Sequence, residues 1–206
     1  MIAVKISDNR SFLSALFTRP VFDPFILGEA QITTYTTFRI DGTWHPAYFS
    51  EAPGRPSAAV PQSLRQDPAD RKLPAAGQVS EYLSAGSGQP VEASEKGHLR
   101  AQEPSWARIR PIVRAIVSGK HSPLSFRIIL KMPDKGIQSI LTSGSLSARV
   151  EDVNGLFLNI TYQNEEILCT SGVSLKTFTL DKSLDKIWDD MMLRFFAARS
   201  IAVELQ

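Results

Sequence analysis

A run of basic side chains between His98 and His121 carries the clearest chemical signal in the sequence, because the only acid among them is Glu103. Cations presented on a helix can bind the phosphates of a nucleic acid and release its condensed counterions. Arg110 and Arg114 are neighbours on such a helix, since residues four apart share a face. The predicted nucleic-acid-binding residues are Arg108, Arg110, Arg114 and Lys120.

The same run of cations has a second interpretation that needs no ligand. Arginine stems often cover the edge of a hydrophobic core while the charged heads remain in water. The net charge of +2, from 23 basic and 21 acidic residues, neither requires a polyanionic partner nor excludes one. Both interpretations therefore stay open on the sequence.

Groups that could catalyse a reaction are scattered along the chain. Cys169 is the single cysteine, which excludes a disulfide framework and a multi-cysteine zinc site, and its apolar strand context predicts burial. The histidines His45, His98 and His121 lack metal-site spacing, and the phosphate-loop, nucleophile-elbow and zinc-protease motifs are absent from the sequence. We predict no catalytic, cofactor-binding or metal site and a protein that is not an enzyme. An enzyme with an unfamiliar site is the remaining alternative.

Adjacent acids form three pairs, Glu151-Asp152, Glu165-Glu166 and Asp189-Asp190. Neighbouring side chains of a strand or helix point in different directions, so the two carboxylates of each pair do not converge on one site. We predict that these acids are solvated.

The arginines must be positioned by the segment "SWARIRPIVRAIVSG", residues 105–119. Its apolar residues fall on one face of a helix, and they are Trp106, Ile109, Val113 and Ile116. Pro111 predicts either a kink or a helix that begins at Pro111, because proline lacks the backbone donor of a helix interior. Arg108 lies off the apolar face.

Residues 51–104 differ in composition from the rest of the chain. They hold seven of the 13 prolines and five of the 12 glycines, with Tyr82 as their one aromatic residue. So little bulky apolar surface cannot offset the entropy of ordering the segment. The composition predicts a disordered insertion rich in Pro, Ala, Gly and Ser.

Outside this insertion, residues 1–50 and 105–206 show a similar order of elements. The first half predicts strands in "MIAVKI", "FILGEAQIT", "YTTFRID" and "HPAYF", with helices in "SDNRSFLSALFT" and "SWARIRPIVRAIVSG". The rest predicts a strand "LSFRIILK", a helix "PDKGIQSILTSG", a hairpin of "GLFLNITY" and "EILCTSG", a strand "SLKTFTLD", a helix "SLDKIWDDMMLRFFAAR" and a strand "IAVEL". The last helix has an apolar stripe of Leu184, Ile187, Trp188, Met191 and Phe195.

A pattern of one strand, a turn that contains glycine and a second strand occurs in both halves. It is "TTFRIDGTWHPAYFS" with Asp41-Gly42 in the first and "ILCTSGVSLKTFTLD" with Ser171-Gly172 in the second. The repetition predicts an internal duplication. We therefore predict a single α+β domain over residues 1–206, made of two tandem β-α-β-β-β-α units with mainly antiparallel sheets and helices packed on them.

The run from Thr170 to Leu175, Thr-Ser-Gly-Val-Ser-Leu, resembles a Thr-Asp-Gly-x-x-Leu turn found in the domains of bacterial DNA sliding clamps. "SFRIILKMPDKGIQSIL" is similar to the strand-to-helix opening of such a domain. The resemblance implies one clamp-like domain with a role on DNA. In a clamp the inner helices face DNA with basic residues, and here they offer Arg10 and Arg19 in the first half and Lys131 and Lys135 in the second.

Nearly the whole chain also resembles an uncharacterised bacterial protein family of unknown function. The resemblance rests on "MIAVKISD" at the start and on "GLFLNITY" and "TSGVSLKTFTLDKSLDKIWDDM" near the end. It implies no activity, cofactor or catalytic residue. We expect the insertion at 51–104 to fall outside it.

The sequence as a whole favours a non-enzymatic, clamp-like module that binds DNA or a DNA-processing partner. The alternative is a protein-interaction or structural module without nucleic-acid binding. The first residues contain no apolar region long enough for a signal peptide, and no window approaches the roughly 18 apolar residues of a transmembrane helix. We predict a cytoplasmic protein without a membrane partner.

Overall fold

Strands outnumber helices in the part of the chain that the structure, a computed structural model, describes, namely residues 1–45, 104–119, 121–144, 146 and 149–206. The strands are β1 (Ala3–Ile6), β2 (Ile26–Thr33), β3 (Thr37–Ile40), β4 (Ser125–Lys131), β5 (Val153–Gln163), β6 (Glu166–Leu175) and β7 (Val203–Leu205). The helices are α1 (Asn9–Phe17), α2 (Trp106–Val117), α3 (Asp134–Ser143) and α4 (Ser183–Ala198). A short 3-10 turn, Val150–Asp152, leads into β5.

The seven described strands form one sheet in the order β3-β2-β4-β5-β6-β1-β7. Every neighbouring pair in that order is antiparallel. The chain thus places its first strand, β1, between two strands from its C-terminal half. The prediction of an α+β fold with antiparallel strands and helices packed on them is confirmed.

One face of this sheet is apolar and carries the helices. Its register aligns Ile128, Ile160, Cys169 and Val4 across four strands, and all four are almost completely buried. Buried residues from all four helices belong to the same cluster. The other face presents more exposed side chains such as Arg127. This alternation is what a sheet with one covered face requires.

The β5–β6 hairpin has a two-residue turn, Asn164-Glu165, between the paired residues Gln163 and Glu166. Both turn residues have a positive φ, 51° and 63°, as a type I′ turn requires. The primed turn matches the right-handed twist of the strands, which confirms the hairpin that the sequence predicts.

The helices begin and end close to their predicted positions. Asp8 caps α1 by accepting a hydrogen bond from the Ser11 backbone at 3.1 Å. Helix α2 begins at Trp106 and keeps Pro111 in its interior, so the alternative of a helix that begins at Pro111 is wrong. The first residue of α2, Trp106, also bonds to the segment before β2, because its backbone N–H donates to the Phe25 carbonyl at 2.9 Å.

The second copy of the repeated turn is not a turn. Ser171 and Gly172 lie inside β6, paired with Leu158 and Phe157 of β5. The long β5 partner continues the ladder past both residues, and β6 ends only at Leu175. The predicted strand "SLKTFTLD" is therefore wrong, because its first two residues end β6 and residues 176–182 form no strand.

The tandem duplication is not confirmed by the strand pairing. In the second half β4 pairs with the next strand, β5, whereas β1 pairs with β6 and β7 rather than with β2. The predicted third strand of the first half falls almost wholly outside the described residues. So does the predicted insertion, of which only Pro104 is described.

Candidate functional site

Helix α2, which carries three of the predicted binding residues, is held against α1 by a buried tryptophan. Trp106 is fully buried, and its indole Nε1 donates a hydrogen bond to the Leu16 carbonyl of α1 at 3.1 Å. Its ring also contacts Phe17, with the centroids 6.4 Å apart. These contacts determine which way the arginines of α2 point.

Arg110 joins α2 to the segment that follows α1. Its Nη1 donates to the Arg19 carbonyl and lies 3.1 Å from Asp23 Oδ1, in an ion pair without hydrogen-bond geometry. The Arg110 side chain is only 18% exposed. Asp23 therefore already balances its charge, and Arg110 is a positioning residue rather than a phosphate ligand.

Of the other predicted residues on α2, Arg114 lies on the same side as Arg110, whereas Arg108 does not. Arg108 is exposed, and its guanidinium lies over the Trp44 ring at 5.5 Å from the centroid, a cation–π contact. Arg114 is exposed as well, about 120° away from Arg108 around the helix. Lys120 lies outside the described residues. The structure thus brings Arg110 and Arg114 together on one side of α2 and leaves Arg108 on another.

Arg114 opens onto a cleft of about 400 Å³ between the first two helices. We call it the α1–α2 cleft. Its lining comes from both helices, the segment after α2 and two strands, and consists of Leu13, Ser14, Phe17, Thr18, Arg114, Val117, Ser118, Gly119, His121, Ser122, Pro123, Phe126 and Tyr162. The rings of Phe126 and Tyr162 stack with centroids 5.2 Å apart and planes 17° apart.

The polar groups of the α1–α2 cleft favour an anion. Arg114 and His121 supply basic nitrogen, and no acid occurs among the described lining residues. Within the described part of the chain, the Arg114 guanidinium makes no ion pair or hydrogen bond. A free guanidinium presents its full set of donors to a phosphate or carboxylate.

A second, shallower depression adjoins the cleft on the other side of Ser14. It is lined by Asp8, Arg10, Ser11, Ser14 and Arg19. Because Ser14 lines both, Arg10 and Arg19 of the α1 region lie on the same surface as Arg114 of α2. We call Arg10, Arg19, Arg114 and His121 the α1–α2 basic surface. No sequence signal joins these residues, since only the packing of α1 on α2 does so.

Two other candidate groups of the sequence, Cys169 and Asp189, contribute to the fold. Cys169 is 1% exposed, which confirms its predicted burial, and that burial raises the pKa of its thiol. Asp189 accepts a hydrogen bond from Ser171 and lies 2.6 Å from the Met1 amino group, with its side chain 14% exposed. The prediction that both acids of the Asp189-Asp190 pair are solvated is therefore wrong for Asp189.

Among the described residues, no group of three or more His, Cys, Asp or Glu side chains is placed to hold a metal ion. Nor does that part of the chain contain a helix both long enough and apolar enough to cross a membrane.

A protein-family model described as a family of unknown function, DUF5721, matches residues 15–63 and 89–204, well over half of the chain. The match enters both ends of the predicted insertion and, within 51–104, leaves out only residues 64–88, so the expectation that all of 51–104 lies outside the family is wrong. No curated protein and no solved structure is similar to the chain.

Proposed function

The chain belongs to this family of unknown function, DUF5721, and we propose that it is a non-enzymatic module that binds nucleic acid, with DNA as its ligand, through the α1–α2 basic surface. The observation that carries the proposal is the convergence of Arg10, Arg19 and Arg114 around Ser14. The proposal places the module in the cytoplasm, where it would meet DNA or a DNA-processing partner.

One nearby acid, Asp23, is paired with Arg110. The other, Asp8, caps α1 and lines the depression beside Arg10 and Arg19, so it offsets part of their charge and leaves the surface with a net positive charge. Arg10, Arg19 and Arg114 are all exposed. Three guanidinium groups on one surface can bind successive phosphates, and each contact would release condensed counterion.

The resemblance to one domain of a DNA sliding clamp bears on this proposal through its helices alone, because the run from Thr170 to Leu175 lies within β6 and forms no turn. In clamps the helices turn their basic residues toward DNA, and Arg10 belongs to α1, the first helix of the resemblance. The observed architecture adds that the helices cover one face of an antiparallel sheet. The ligand would therefore approach from the helical side of the molecule rather than from the open side of the sheet.

Replacing Arg10, Arg19 and Arg114 with glutamine should weaken binding of a mixed-sequence DNA and flatten its salt dependence. The slope of log affinity against log salt should become shallower by up to about three units, roughly one for each lost phosphate contact. Fluorescence anisotropy with a labelled duplex and a labelled single strand, over a series of salt concentrations, measures both quantities.

A matched control removes the same charge elsewhere. Glutamine at Arg127, Lys176 and Lys182, which are exposed and line neither the cleft nor the depression, should leave the salt slope almost unchanged. Equal weakening by both triple variants would show that only net charge matters. Failure of the parent protein to bind either DNA at low salt and tens of micromolar protein would reject the proposal.

The alternative, a protein-interaction module without nucleic-acid binding, is favoured by a different feature. Phe178 and Leu180, in the segment between β6 and α4, are 86% and 84% exposed. Large apolar side chains exposed this far are typical of contact surfaces for a protein partner. This alternative becomes the leading one if the DNA measurements are negative.

A further inference from the structure

We propose that the α1–α2 cleft takes one unpaired nucleotide, so that the ligand of this protein is single-stranded rather than duplex nucleic acid. This inference rests on the proposed function and names the form of nucleic acid that the same surface prefers.

The cleft can hold a whole base, a group that a duplex does not expose. A base inside a duplex is stacked and paired, and only its edges and the backbone meet a protein surface. The cleft has a volume of about 400 Å³, which falls in the range of sites that enclose a small ligand.

The walls suit a flat, largely apolar group. Leu13 and Phe17 line the cleft from α1 and Val117 lines it from α2. Tyr162 is half-buried and is backed by the stacked ring of Phe126, which is only 3% exposed. Tyr162 is therefore the aromatic group that a ligand can reach, and aromatic rings stack on bases of any sequence.

Polar groups around these walls match the rest of a nucleotide. Ser14 and Thr18 are exposed residues that line the cleft, and their hydroxyl groups can donate to or accept from base edges. Arg114 supplies an unengaged guanidinium for the phosphate of the inserted nucleotide. Arg10 and Arg19, across Ser14, can bind the phosphates that follow along a flexible strand.

The test compares a short fluorescein-labelled oligothymidine with its duplex on oligoadenosine, by anisotropy at one moderate salt concentration. We expect the parent protein to bind the single strand roughly tenfold more tightly, the effect of about one stacked base. Ser14→Phe, at an exposed position of α1, should fill the cleft and remove this preference, measured as the ratio of single-strand to duplex affinity. Gln138→Phe, which adds an aromatic residue on the exposed side of α3, should leave the preference intact.

A second variant, Tyr162→Leu, keeps apolar volume but removes the ring, and it should also lose the preference, with its thermal midpoint reported alongside. Equal affinity of the parent for single strand and duplex, with both weakened by the triple glutamine variant, would overturn this inference and leave the proposed function standing. A preference that survives Ser14→Phe would show that the cleft does not hold the nucleotide. No binding of either probe would overturn both proposals.

Discussion

Trp188→Ala should lower the free energy of unfolding by about 3–5 kcal/mol, the usual cost of deleting a large buried aromatic side chain. Trp188 is completely buried between α4 and the sheet. Its indole Nε1 donates to the Phe157 carbonyl of β5 at 3.0 Å, so the change removes packing and a hydrogen bond together. Urea denaturation followed by circular dichroism gives the difference.

Two further variants separate the causes of that loss. Trp188→Phe keeps most of the ring but removes the donor to Phe157. Its loss in free energy of unfolding should be smaller than that of Trp188→Ala. Lys186→Ala, at an exposed position of α4, should change stability by no more than about 0.5 kcal/mol. A loss below about 1 kcal/mol for Trp188→Ala would contradict the view that this residue anchors α4.

Helical periodicity predicted this anchor because α4 is long and has one continuous apolar stripe. Leu184 and Trp188 are buried as expected, but farther along the helix Phe196 is buried more deeply than Phe195. The difference arises because Phe195 packs sideways, with its ring 5.3 Å from that of Phe22 in the segment before β2. Spacing along one helix cannot reveal which flank a distant segment will cover.

The candidate site was predicted only in part, for the same reason. The charge pattern identified Arg114, which is exposed on the cleft, and also Arg110, which Asp23 neutralises. Asp23 is far from Arg110 in sequence, so nothing in the local pattern indicates their pairing. The sequence places Arg10 in α1 and Arg19 just after it, but their proximity to Arg114 depends on α1 packing against α2.

The repeated turn shows how tertiary structure overrides a local signal. A Ser-Gly pair is typical of turns, since glycine adopts left-handed backbone angles easily. Gly172 nevertheless continues β6, because β5 extends far enough to pair with it. Gly42 does have the left-handed conformation, with φ at +66°. The two glycines look equivalent in sequence and have opposite requirements in the fold.

Gly42→Ala and Gly172→Ala should therefore shift stability in opposite directions. At Gly42 a Cβ would lie 2.5 Å from the Gly28 carbonyl oxygen and would also overlap that of Leu27, in a conformation that disfavours side chains. We expect a loss of about 2–4 kcal/mol from the combined strain and overpacking. At Gly172 the nearest atoms would be at 3.9 and 4.0 Å, an ordinary contact.

Alanine at Gly172 should then leave the protein as stable as before or raise its free energy of unfolding by up to about 1 kcal/mol, because glycine weakens a strand interior through the entropy of the unfolded chain. The same urea denaturation measures both variants against the parent protein, and unchanged m-values would show that the comparison is between similar unfolded states. Comparable destabilisation by the two substitutions would mean that Gly172 also occupies a position only glycine can take. That result would contradict the ordinary contact distances at Gly172 within β6.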